Sequence, residues 1–123
     1  MELVILESRY RGDVEEETQR NVKYAQLCMY DCFTRNEAPF ASHLLYTQEN
    51  ILDDDKTEER ELGIDAGLLW GAKADKTVVY EDFGYSEGML YGIENAEKAG
   101  RSIEKRKLPP EVFEKHFGNY LAT

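Results

Sequence analysis

The sequence predicts a small α/β domain with a doubly wound parallel sheet of about four strands, Rossmann-like or flavodoxin-like, filling residues 1–123 as one unit. Two observations carry this. Leu3-Val4-Ile5-Leu6 is a short, continuous apolar run, the pattern of a strand covered on both faces, and Thr77-Val78-Val79-Tyr80 is the clearest strand after it. Segments of helical periodicity lie between the strand-like runs. Helical crossovers between short strands imply parallel pairing, with helices on both faces of the sheet.

The first strand leads into a polar loop, Glu7 to Asp13, and then into a helix from about Glu16 to Arg35. On that helix Val22, Ala25, Cys28, Met29 and Cys32 recur at three- and four-residue steps. Ala38 to Ser42 is expected as a second strand entered through Pro39, with His43 to Thr47 continuing into a long loop. That loop ends in Asp53-Asp54-Asp55-Lys56-Thr57, where Asp or Thr suits a helix cap; Leu62, Ala66, Leu69 and Trp70 then form the expected apolar stripe. After the third strand a turn-like stretch from Glu81 to Gly88 opens a helix with Met89, Ile93, Ala96 and Ala99 inward, ended by Gly100. Residues 102–106 alternate as an edge strand does, and Pro109-Pro110 starts a last helix through about Leu121.

Composition narrows the function. A net charge of −10 argues against a nucleic-acid polymer as partner, since a polyanion demands clustered Lys and Arg. Arg101, Lys105, Arg106 and Lys107 are the one basic concentration, expected as a solvated edge. No apolar run approaches the roughly 18 residues of a membrane span, and the N-terminus lacks the basic and apolar regions of a signal peptide. A cytoplasmic location is therefore expected. Cys28 and Cys32 stand one helical turn apart with no accompanying ligand group, so no metal and no other cofactor is expected. Asp53 to Asp55 read as capping and solvated residues, because consecutive carboxylates point apart.

In such sheets ligands bind outside the carboxyl ends of the strands. The candidate ligand residues follow from that rule. Ser8, Arg9, Tyr10, Arg11 and Gly12 follow the first strand, where Tyr stacks on a base and Arg clamps a phosphate. His43 follows the second. Asp82, Phe83, Ser86, Gly88 and Met89 follow the third, and a Ser cap before Gly offers free amides and a positive helix end to a phosphate.

Three stretches together resemble the nucleoside 2-deoxyribosyltransferase-like group, which includes the deoxynucleotide N-glycosidases. They are Ser8-Arg9-Tyr10-Arg11-Gly12, Ser86-Glu87-Gly88, and Ala96-Glu97-Lys98-Ala99-Gly100-Arg101-Ser102-Ile103, and the likeness runs from the first strand to about Arg106. Glu7-Ser8-Arg9-Tyr10-Arg11-Gly12 and Ala38-Pro39-Phe40-Ala41-Ser42-His43 also resemble segments of small uncharacterised bacteriophage proteins. The first resemblance implies a nucleoside or nucleotide pocket. It also implies a nucleophilic Glu on the helix after Ser-x-Gly, four residues beyond the Gly, where this chain has Gly92. Glycine does no nucleophilic work.

Three functions remain open at this stage. The first is a non-catalytic protein that binds a small nucleotide-like ligand, as a phage protein sequestering an immune nucleotide signal such as an ADP-ribose derivative or a cyclic nucleotide would. The second is an N-glycosidic hydrolase or transferase acting on a nucleoside 5′-phosphate, with Glu81, Asp82 or Glu7 as replacement carboxylate. The third is a protein-interaction domain. A homo-oligomer fits all three, with Leu69, Trp70 and Tyr91 as interface candidates.

Overall fold

The computed structural model describes residues 1–118. Its order is β1 (Glu2–Glu7), α1 (Glu15–Thr34), β2 (Glu37–Phe40), α2 (Ser42–Leu45), α3 (Thr57–Gly71), β3 (Lys76–Tyr80), α4 (Glu87–Lys98), β4 (Ser102–Arg106) and α5 (Pro110–Phe117). The four strands pair in parallel in the order β2-β1-β3-β4. The chain winds from β1 outward to β2 and then returns past β1 to β3 and β4. The switch point thus lies between the ends of β1 and β3, where Glu7 pairs with Val79.

Strand alternation sorts the two faces. Val4, Leu6, Val78 and Tyr80 turn to one side and pack with Tyr24, Cys28 and Cys32 of α1 and with Phe113 and Phe117 of α5. Each such fully buried aliphatic side chain contributes ~1.5–3 kcal/mol. Ile5 and Glu7 turn to the other side, where Ile5 meets Gly71 of α3 and Glu7 meets Gly92 of α4. Both cysteines are buried and unpaired, as their place on the α1 stripe predicts. Ser86 caps α4 by accepting from the Met89 amide at 3.2 Å, and Gly100 leaves the helix at φ +70°, a conformation that suits Gly.

Several expectations are corrected. β2 stops at Phe40, and Ser42 and His43 begin the short helix α2 instead of ending a strand. α3 turns its other face inward. Leu62, Leu69 and Trp70 stay exposed while Gly63, Gly67 and Gly71 face the protein, because the helix approaches too closely for side chains. A Cβ on Gly67 would lie 2.9 Å from the Ser42 Cβ. The N-cap of α3 is Lys56 with no side-chain cap; Glu59 instead accepts from the Asp53 amide at 2.9 Å. Ala99 is exposed, and Gly92 takes an inward place on α4. The predicted end of the last helix near Leu121 lies outside the described residues.

The basic stretch is only partly a solvated edge. Arg106 is buried and forms a two-pronged pair with Glu37, at 2.7 and 2.6 Å, with the Tyr80 hydroxyl at 3.3 Å. Lys76 joins the same carboxylate at 2.8 Å, and these cations hold Glu37 at about 2. Arg101 bridges the Thr77 hydroxyl and the Gly71 carbonyl. Among the described residues no helix is long and apolar enough to cross a membrane, and no group of His, Cys, Asp and Glu is placed to hold a metal ion.

Candidate functional site

A cavity of about 160 Å³ opens at the carboxyl ends of β1 and β2. β1 delivers Glu7 and Ser8 to it, and the following loop adds Tyr10 and Arg11. Ser42 and His43 enter from α2, Arg60 and Ile64 from α3, and Ser86, Gly88 and Met89 from the start of α4. Tyr46, Thr47 and Leu52 close it from the long loop. The amides of Glu87 and Gly88, as the first donors of a helix, have no intrahelical acceptor, so the Ser86–Gly88 corner is its anion-attracting end.

Glu7 lines this cavity with a buried carboxyl. Its carboxyl lies over Gly92: a Cβ added there would come within 2.6 Å of the Glu7 carboxyl carbon. The missing side chain on α4 is therefore what makes room for a carboxyl carried by β1. Glu7 makes no hydrogen bond to a described residue. Burial pushes it up from 4.5 to about 8 against the opposing pull of Arg101, so the group is protonated at neutral pH. A perturbed carboxyl in a cleft is a recognised mark of a functional site.

Ser8 and His43 form the second feature. The Ser8 hydroxyl and His43 Nε2 are 2.8 Å apart, and burial lowers His43 to about 4, so the ring is neutral at pH 7. With the ring neutral, one member of the pair donates and the other accepts. Two uncharged polar groups and a protonated carboxyl thus share the cavity lining with Arg11, Arg60, Asp54 and Glu59, beside the anion-attracting helix corner.

Of the residues expected at the site, Glu7, Ser8, Tyr10, Arg11, His43, Ser86, Gly88 and Met89 line the cavity together. The others lie elsewhere. Arg9 reaches across to the Tyr85 carbonyl at 2.8 Å, with its Nε buried and unpaired. Gly12 donates to Thr18 Oγ1 and makes a close turn against Glu17. Asp82 turns to the opposite face, accepting from the Tyr24 hydroxyl at 2.6 Å and the Leu108 amide at 2.9 Å. Phe83 packs edge-on against Tyr24 and Phe117. Glu81 accepts from the Tyr85 hydroxyl.

Sequence reasoning missed Arg60, Tyr46 and Ile64. Arg60 is the signal that was available: a cation on the first turns of a helix after an acidic run, its only ion pair among the described residues a 4.0 Å contact with Asp54. Arg11 was foreseen, but its guanidinium is held by Asp54 and Asp55 at 3.3 and 2.5 Å. That latch ties the β1 loop to the long loop and borders an adjoining acidic vestibule of about 530 Å³, walled by Glu15, Glu49, Asp53 and Glu59.

The parallel order 2-1-3-4, the capped helix after β3 and the cavity at the strand ends define an α/β protein with a nucleoside 2-deoxyribosyltransferase-like fold. The 2-deoxyribosyltransferase of the psychrotolerant bacterium Bacillus psychrosaccharolyticus, described as a biocatalyst for nucleoside synthesis, superposes with a TM-score of 0.60. The match covers 88% of this chain and 74% of that one at 16% identity, a likeness of fold. The chain itself belongs to the family described as Domain of unknown function (DUF7768), which it matches over residues 2–106. No curated protein sequence matches it.

Proposed function

We propose that this protein cleaves the N-glycosidic bond of a nucleoside 5′-phosphate, with Glu7 as general acid. One observation carries the reading: the Glu7 carboxyl occupies the space over Gly92 and opens onto the cavity. The absence of a carboxylate at position 92 was the reason to expect a binder without chemistry. A carboxyl on β1 in the same space removes that reason.

The step balances with one group. Glu7 gives its proton to a nitrogen of the departing base while the C1′–N bond breaks and its electron pair stays with the base. Water then adds to C1′ and returns a proton to the Glu7 carboxylate. The products are a free base and a sugar 5′-phosphate. The phosphate is assigned to the Ser86–Gly88 corner, whose helix amides line the same cavity as Arg60. Asp82 and Glu81 are engaged by Tyr24 and Tyr85, which leaves Glu7 as the acid suited to the step among the three expected from sequence.

A second reading is favoured by the same resting state. With Glu7 protonated and His43 neutral, the cavity presents no ionised nucleophile from either residue, which suits capture of an intact ligand. That is the sequestering role, with an ADP-ribose derivative or cyclic nucleotide as cargo. One incubation separates the two. The protein is mixed with nucleoside monophosphates, ADP-ribose and cyclic nucleotides, filtered, and both filtrate and heat-released material are run on HPLC. Free base growing with time, absent from Glu7→Gln, supports cleavage. A compound retained and released intact supports capture and overturns cleavage.

A further inference from the structure

Behind the main cavity a second chamber of about 240 Å³ lies between α3 and α4. Glu7, Ser42, Arg60, Ile64 and Gly88 border both spaces, so the two adjoin at the Glu7 carboxyl. The main cavity, at about 160 Å³, is smaller than the roughly 300–1,000 Å³ of ordinary small-molecule sites. A whole nucleotide therefore needs adjoining room. The acidic vestibule disfavours a phosphate-bearing ligand by like-charge repulsion.

We propose that the chamber between α3 and α4 receives the flat nitrogen heterocycle of the nucleobase, while the sugar phosphate stays in the main cavity. This rests on the proposed function and assigns it a base-binding compartment. Three features fit that occupant. Gly67, Gly71 and Gly92 border the space, packed against Ser42, Arg101 and Glu7, and Ile5, Leu68 and Tyr91 add apolar surface beside the Arg60 and Arg101 guanidiniums, a lining of flat and apolar groups suited to a planar ring. The Glu7 carboxyl, without a hydrogen-bond partner, offers a donor and an acceptor side by side when protonated, which matches the paired edge of an amide-like or amidine-like base. Asn95 stands three residues beyond Gly92 on the same face of α4. Its Oδ1 accepts from Arg101 at 3.4 Å, and its Nδ2 has no partner among the described residues. A base seated there meets the Asn95 amide of α4 and the Glu7 carboxyl of β1, and its glycosidic bond passes beside Glu7.

The test is calorimetric binding of adenosine, guanosine, cytidine and uridine 5′-monophosphates and of ribose 5-phosphate to Glu7→Gln, which holds ligand without turnover. Two further variants on that background touch the chamber alone: Leu68→Trp, which fills it, and Asn95→Leu, which removes its amide. Circular dichroism checks that both fold. The expected result is a loss of about tenfold or more for the nucleotide bound best, with ribose 5-phosphate affinity unchanged. Asn95→Leu also narrows the difference among the four bases. Nucleotide binding that ignores both variants overturns the chamber's role and leaves the proposed function standing. Equal losses for nucleotide and ribose 5-phosphate overturn it as well. No binding of any probe to the parent protein overturns both.

Discussion

Changing Glu7 to Gln keeps the shape of the side chain and removes its proton site, which isolates one free-energy term. In the native chain the Glu7 carboxyl titrates at about 8, against 4.5 ordinarily. Between these values the native chain keeps a proton that the unfolded chain gives up, so stability falls as pH rises through this window. Each pH unit is worth about 1.4 kcal/mol, which makes the full cost on the order of 5 kcal/mol and about 3 kcal/mol at pH 7. The cost is absent below the ordinary value and complete above about 8. Against a total stability of about 5–15 kcal/mol for such a domain, this is a large share. Gln carries no such penalty. Urea unfolding of both proteins at about pH 5, 7 and 9 should therefore show little difference at the lowest pH and a growing advantage for Glu7→Gln above it. A variant destabilised to the same extent at every pH would refute the placement of a protonated Glu7 in this cavity.

Other expectations are independent of that one. Gly92→Ala improves helix propensity by about 1 kcal/mol but drives its Cβ into the Glu7 carboxyl, so base release should fall steeply while thermal unfolding changes little. Asp82→Ala removes the acceptor of the Tyr24 hydroxyl proton and of the Leu108 amide, though the residue-82 amide still donates to the Tyr24 oxygen, and should cost about 1–3 kcal/mol in urea unfolding, with turnover per folded molecule retained. Glu37→Gln strips the charge that pairs Arg106 and Lys76 and should cost about 3–5 kcal/mol near neutral pH; because Glu37 is held at about 2, the deficit should shrink as pH falls below 4.5. Nucleoside monophosphates should bind better than triphosphates, because Asp53 and Glu59 wall the acidic vestibule that adjoins the cavity; the gap should narrow at high salt in calorimetry.

The parallel sheet was legible because its signals are local. Leu3 to Leu6 are apolar throughout, Thr77 to Tyr80 are all strong strand formers, and Ser86 and Gly100 mark the ends of α4 by their own backbone chemistry. What could not be read depends on close approach. Counting large apolar residues on α3 selects Leu62, Leu69 and Trp70, yet the face that meets Ser42 and Ile5 must be glycine, since any Cβ there crowds its neighbour. Glu7 and Gly92 pose the same difficulty at the site. Each appeared in the sequence as a separate fact, a candidate acid and a missing one, and only the packing of α4 on β1 makes them one feature. Asp82 was a reasonable candidate by position, but its side chain turns to the α1 side to serve Tyr24.

The central claim concerns a proton on Glu7 that leaves with the base, and the rate of base release against pH tests it most directly. HPLC would follow release from the best-bound nucleoside 5′-monophosphate across the range from mildly acid to alkaline, with the wild-type chain and Glu7→Gln. The expected kcat/KM is high at neutral pH and declines as pH rises through about 8, where Glu7 loses its proton, and Glu7→Gln shows no release at any pH. A rate that climbs through the same range, or one that survives in Glu7→Gln, would contradict Glu7 as the acid.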